Sequence, residues 1–167
     1  YRLLSVDDSA ERTVVTLSAD GHILGPDGAL RCGLVKEYTL WANEACLSCS
    51  WSFECESTFP DGLDFAVELN LSTLGESRAP EVFTGQQGAI SQPFSMVWPQ
   101  AAVGLNIEGQ SDSWCFESER IETVAQPLGQ AAQSNVQGVC VMARHPLPSG
   151  ASGFQCGIRL TWMDCQV

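Results

Sequence analysis

The side chains with the most chemistry to offer are Cys32, Cys46, Cys49, Cys55, Cys115, Cys140, Cys156 and Cys165, and their spacing discriminates between three uses. Cys46-x-x-Cys49 is the lone C-x-x-C motif, whereas a four-cysteine zinc site normally takes two such pairs. A thioredoxin-type redox pair opens a helix in a parallel α/β setting, but this pair opens a serine-spaced stretch with a strand period. An even number of cysteines scattered along the chain reads instead as a disulfide framework, all eight bridged, in an oxidising and therefore secreted setting. In extended chain at ~3.3 Å per residue, Cys46 and Cys49 lie about 10 Å apart and Cys49 and Cys55 about 20 Å, beyond the ~7 Å that a bridge spans between Cα atoms. Each of these three must then pair elsewhere, unless a turn at Cys46 lets Cys46 and Cys49 bridge locally. Cys49, Cys55 and Cys156 share the phase of buried residues, so at least one bridge is expected to cross the core.

Other reactive groups are sparse. Nucleophilic catalysis needs a base beside the nucleophile, and the two histidines, His22 between turn signals and His145 before Pro146, come with no Gly-x-Ser-x-Gly elbow, which argues against a hydrolase triad. Glu54, Glu56, Asp64 and Glu68 occupy the polar phase of the central strands, and paired carboxylates on a sheet face are the equipment of a glycosidase. Ser48, Ser50 and Ser52 share that phase where a sugar cleft would carry aromatic rings, which favours a solvated acidic face. Trp51 and Trp162 fall in phase with core residues, while Trp41, Trp98 and Trp114 have no such assignment; burial of all five is the favoured reading, and an exposed Trp98 or Trp114 is the alternative that could stack on a sugar or anchor a protein. Asn70-Leu71-Ser72 is a glycosylation sequon with Asn70 on the polar phase. The Asp20-Gly21 and Asp27-Gly28 pairs lack the ordered oxygen series of a calcium loop, so neither a metal nor any cofactor is expected.

These residues are positioned by strands. Leu47, Cys49, Trp51, Phe53 and Cys55 alternate with Ser48, Ser50, Ser52 and Glu54, and after Pro60-Asp61-Gly62 the same phase resumes in Leu63, Phe65, Val67, Leu69 and Leu71. Period two predicts half-buried antiparallel strands, read as one hairpin. Residues 1–11 read as an edge strand or arm, Thr13–Leu17, His22–Leu24 and Leu34–Trp41 as strands in two hairpins, with tight turns at Asp20-Gly21 and Asp27-Gly28. Residues 72–92 read as a long loop with one helical turn after Pro80. Phe94–Trp98, Val103–Ile107, a strand opening at Trp114, Val136–Met142 and the alternation Phe154, Cys156, Ile158, Leu160, Trp162 complete the strands, with a short helix over 118–132 and an irregular loop from His145 to Gly150. Eight to ten short strands in residues 1–167 give one all-β domain, an antiparallel β-sandwich stabilised by disulfides with little helix and a barrel as second choice. Trp51, Phe53, Phe65, Val67, Leu69, Ile158, Leu160 and Trp162 are its expected core.

Charge narrows function. Eight Lys and Arg against twenty Asp and Glu give −12, which repels nucleic acid and anionic membranes and attracts basic partners over a Debye length. No run reaches the ~18 apolar residues of a membrane span, and without a basic-then-apolar leader the chain reads as a mature or trimmed ectodomain.

The segment Ala45-Cys-Leu-Ser-Cys-Ser-Trp-Ser-Phe-Glu-Cys-Glu56 and the strand Cys156-Gly-Ile-Arg-Leu-Thr-Trp-Met-Asp-Cys165, with Val167 at the tail, resemble the secreted chemokine-binding proteins of poxviruses and related immune-evasion domains. The resemblance covers two strands, size, acidity and cysteine number; the composition departs in being rich in Ala, Gly and Leu and poor in Lys. It implies a non-enzymatic acidic β-sandwich that sequesters a basic secreted protein such as a chemokine or cytokine. A carbohydrate-binding lectin or adhesin using Trp98 or Trp114 is the alternative, and a jelly-roll glycosidase using Glu54 and Glu68 the third reading.

Overall fold

The computed structural model describes residues 1–25, 28–72, 81–83, 93–125 and 133–165. Among them are eleven strands and no helix: β1 (Arg2–Asp8), β2 (Arg12–Gly25), β3 (Gly28–Trp41), β4 (Cys46–Cys55), β5 (Asp64–Ser72), β6 (Glu81–Phe83), β7 (Phe94–Trp98), β8 (Val103–Gly109), β9 (Cys115–Ala125), β10 (Gln133–Pro146) and β11 (Gly153–Asp164). They form an eight-stranded sheet in the order β1-β2-β3-β4-β11-β8-β7-β6 and a three-stranded sheet in the order β5-β10-β9, and every pairing is antiparallel. The inner faces meet in one core, to which Trp51, Phe94, Met96, Leu105, Ile107, Ile158 and Leu160 come from the large sheet and Val139, Val141 and Ala143 from the small one. The expected all-β sandwich is present.

Parity along β4, β5 and β11 identifies the buried side chains. Trp51, Ile158 and Leu160 are buried, and Phe53, Phe65, Val67 and Leu69 pack against them. Trp162 departs from the expected core: it keeps the inward phase but is 39% exposed, near the end of β11 opposite Leu105. The anticipated hairpin of β4 and β5 is also overturned. β4 pairs with β3 and β11, while β5 pairs with β10 in the other sheet. The two strands instead face each other across the core, with ring centroids 5.4 Å apart for Trp51 and Phe65 and 4.9 Å for Phe53 and Phe65. The connection between them crosses the end of the sandwich. There Phe59 is buried, its amide donates to Ala151 at 2.7 Å, and Gly62 turns the chain at φ +74°, a conformation open to glycine at no steric cost.

Four more local readings are corrected. Asp20-Gly21 makes no turn, because Asp20 pairs with Gly33 and Gly21 with Cys32 inside one long β2–β3 hairpin that closes between Gly25 and Gly28. Residues from Cys115 to Ala125 form strand β9 rather than a helix, since eleven partners on β10, from Arg144 to Gln133, override a coincidental helical spacing; residues 126–132 lie outside the described set. Glu81–Phe83 is a strand paired with Ser95–Val97 rather than a helical turn, Ser72 ends β5, and the rest of the expected 72–92 loop lies outside the described residues. β10 also runs through His145 to Pro146, which pairs with Asp64, so the irregular segment begins later than expected.

Candidate functional site

The four candidate carboxylates do not share a face. In β4 the odd residues point into the core, so Glu54 projects from the outer face of the eight-stranded sheet, and Glu56 beyond the strand is exposed and paired with Arg31 at 3.4 Å. In β5 the odd residues again point inward, so Asp64 and Glu68 project from the outer face of the other sheet, on the opposite side of the sandwich. A glycosidase pair built from Glu54 and Glu68 is therefore excluded by the fold, because the core lies between them. What replaces the expected hairpin face is an acidic face on the small sheet. Met142 of β10 is flanked by Glu68 on β5 and Glu117 on β9, and Cys140 by Asn70 and Glu119, all exposed apart from the two β10 residues. Arg144 is the cation on this face and pairs with Glu117 at 3.4 Å. Glu119 was not legible as a site residue because 118–132 read as a helix, and Glu117 stood at the end of a strand opening at Trp114 with no assigned partner. Asn70 is exposed on the same face, and its amide donates to Glu68 at 2.8 Å.

Trp98 and Trp114 are core residues, each 3% exposed, so neither offers the open ring face of a stacking platform. Trp98 donates its indole N–H to the Ser72 carbonyl at 3.0 Å and is thereby tied across to β5. Trp114 sits at the centre of an aromatic cluster, 6.3 Å from Trp51, 6.3 Å from Phe116 and 5.2 Å from His145. Gly109 is required beside it, since a Cβ there would overlap the Trp114 ring.

At this edge of the sandwich a cleft of about 170 Å³ is lined by Pro93, Glu108, Gly109, Ser111, Asp112, Trp114 and Phe116. Ser111 on its wall is 2.9 Å from Nε2 of His145, which is 8% exposed, and Nδ1 of His145 is 2.8 Å from the Pro146 carbonyl. A carbonyl only accepts, so Nδ1 carries the proton, and Nε2 accepts the Ser111 hydroxyl. This serine–histidine contact links positions 34 apart, with no local motif to announce it. It has the first element of nucleophilic activation, but the carboxylates of Glu108 and Asp112 line the same cleft and would repel an oxyanion. The cleft is better equipped to accept hydroxyl hydrogen bonds than to stabilise a tetrahedral intermediate.

The cysteine framework is smaller than expected. Cys32 and Cys55 are directly opposite on β3 and β4, with Cα atoms 4.2 Å apart, and form a disulfide within the sheet rather than across the core. Cys46, Cys49, Cys115, Cys140, Cys156 and Cys165 are thiols. Where they are paired in strands their opposite residues are not cysteines: Cys46 faces Thr161, Cys49 Ile158, Cys115 Arg144, Cys156 Trp51, and Cys140 both Asn70 and Glu119. Burial pushes the Cys49 thiol up to about 11 against a small opposing pull from Lys36, and burial alone pushes Cys156 up to about 12. Desolvation, followed by Glu68 and Glu119, also raises Cys140. None of these three is a thiolate nucleophile at neutral pH. Among the described residues no group of three or more metal-ligating side chains converges, and no helix is long and apolar enough to cross a membrane.

No protein-family model and no curated protein sequence matches the chain. Solved structures do. The 4-alpha-glucanotransferase from Thermococcus litoralis superposes with a TM-score of 0.64 at 15% identity, over 94% of this chain and 22% of that one. The heparan sulfate lyase HepC from Pedobacter heparinus superposes with a TM-score of 0.59 at 10% identity, over 99% of this chain and 22% of that one. The chain thus spans about a fifth of the length of each enzyme and shares its fold with a part of both.

Proposed function

We propose that the chain is a non-catalytic β-sandwich module that binds neutral glucan chains as part of a carbohydrate-active protein. The observation that carries this reading is the superposition of nearly the whole chain on parts of two enzymes named for a glucan and for heparan sulfate. Their reactions differ, and their common theme is a polysaccharide. The charge of −12 disfavours a sulfated polyanion and leaves a neutral glycan. The edge cleft fits that chemistry, with Glu108, Asp112 and Ser111 to accept or donate hydrogen bonds to hydroxyls and Pro93 and Phe116 as apolar wall. The test is affinity electrophoresis and calorimetry with linear α-glucans and with heparan sulfate fragments. Retardation by the glucan, lost in Glu108→Gln/Asp112→Asn, supports the module; absence of any neutral-glycan binding refutes it.

The acidic outer face of the small sheet supports a second reading, a non-enzymatic binder of a basic protein of chemokine or cytokine type. Asp64, Glu68, Glu117 and Glu119 would steer a cationic partner, so neutralising them should slow association more than it speeds dissociation, and the effect should shrink at high salt. Support for an oxidising, extracellular setting in this reading is the Cys32–Cys55 bridge. Capture of basic proteins with no retention of glucans would favour it over the first.

A further inference from the structure

Among the described residues β1 is the terminal strand of the eight-stranded sheet and pairs with β2 along one edge, with no strand hydrogen-bonded along the other. Natural edge strands are usually blunted by lysine, proline, inward charge or a bulge, and of these β1 has an irregularity in its register between Leu3 and Ser5. Yet β1 exposes Leu3 by 57% and Val6 by 55%, and no described residue of β1 or β2 belongs to the core. The register shift between Leu3 and Ser5 sets the faces: Leu3 lies opposite Leu17 and Val6 opposite Val15, so the two share one face, while Arg2, opposite Ser18, and Asp7, opposite Val14, share the other.

This order is self-complementary. Antiparallel pairing of β1 with the β1 of a second copy, about a two-fold axis between Leu4 and Ser5, sets Leu3 against Val6 of the second copy on one face and Arg2 against Asp7 of the second copy on the other. Symmetry repeats each contact. A slip by one residue would put Leu3 against Asp7, and a parallel arrangement would put Asp7 against Asp7, so charge and apolar pattern select one register. We propose that two copies of this chain associate edge to edge through β1 in that register, joining their large sheets into one continuous sheet.

Sedimentation equilibrium and light scattering over a concentration series test this on the intact chain. The expected result is a concentration-dependent rise from 18.0 kDa to twice that mass. Arg2→Asp and Asp7→Arg should each return the mass to that of one chain, because each brings like charges together twice. The double variant Arg2→Asp/Asp7→Arg restores both ion pairs and should restore the dimer. Both positions are exposed strand positions, and circular dichroism with tryptophan fluorescence checks that each variant keeps the fold. A mass fixed at one chain throughout, a dimer that survives the single reversals, or a double variant that stays monomeric would each overturn the proposal.

Discussion

The buried thiols of Cys49 and Cys156 make the stability of this fold depend on alkaline pH in a calculable way. In the unfolded chain each loses its proton near 9.0, whereas in the folded protein burial holds Cys49 to about 11 and Cys156 to about 12. Folding therefore favours the protonated form of both. Below pH 9 the thiols are protonated in both states, and their contribution is fully present. Between pH 9 and the folded values the unfolded chain has released protons that the native one retains, and stability falls by about 1.4 kcal/mol per pH unit per thiol. At about pH 10.5 the two together cost roughly 4 kcal/mol, a large part of the 5–15 kcal/mol typical of a domain. Urea unfolding followed by tryptophan fluorescence in deaerated buffer should show a midpoint indifferent to these thiols from neutral pH to 9 and a steep decline above. The double variant Cys49→Ala/Cys156→Ala removes both protons from the account and should lose that decline, while starting less stable at pH 7 from the two small cavities. If wild type and double variant fall in parallel above pH 9, the decline comes from other groups and the reasoning fails.

Maleimide counting without reductant should find six thiols after unfolding, since the Cys32–Cys55 bridge alone is oxidised, and the exposed Cys115 should react in the native protein well before Cys46, Cys49 and Cys156, which are buried. A count of zero would restore a fully bridged framework. Ile158→Ala, at a position with no exposed surface opposite Cys49, should cost about 3 kcal/mol by urea unfolding, within the usual range for aliphatic truncation in a core; a loss below about 1 kcal/mol would mean that the site collapses freely. Ser111→Ala removes the hydroxyl that Nε2 of His145 accepts and should cost about 1 kcal/mol. Retention of full stability would show that water or a neighbour satisfies the ring equally well.

Parity made the two inner faces legible, because a half-buried strand must alternate and Trp51, Phe65, Ile158 and Leu160 carry that alternation without interruption. Parity does not say which strand lies alongside. Leu47–Cys55 and Leu63–Leu71 have the same phase whether they hydrogen-bond as neighbours or face each other through their side chains, and the structure takes the second option. This choice decides the site, since it sends Glu54 and Glu68 to opposite sides. The acidic face depends on β9 and β10 and the Ser111–His145 contact on the end of β10 and the β8–β9 connection, where a helical spacing over 118–132 and a proline after His145 obscured the strands. Distance arithmetic along an extended chain held for Cys55, which finds its partner on another strand, but Cys46 and Cys49, expected to pair elsewhere as well, are thiols. An even count could not say that the others pair, because pairing needs a second cysteine within about 7 Å between Cα atoms.

The position of that one bridge follows from the mismatch between the two sheets. Three strands cannot cover eight, and within the large sheet the core takes its buried side chains from β4, β7, β8 and β11, while β1 and β2 extend beyond it and β3 is held against it by Leu34 and Tyr38. The β2–β3 hairpin is long and depends on its backbone ladder more than on buried apolar surface. Cys32–Cys55 joins β3 to β4 at this boundary and closes a loop of 23 residues, which in the chain-entropy account is worth about 3 kcal/mol against the unfolded state. A bridge across the core would add little where Trp51, Phe65 and Trp114 already interlock the sheets. Placed at the edge of the covered region, it ties the overhanging β2–β3 hairpin to the part of the sheet that the core secures.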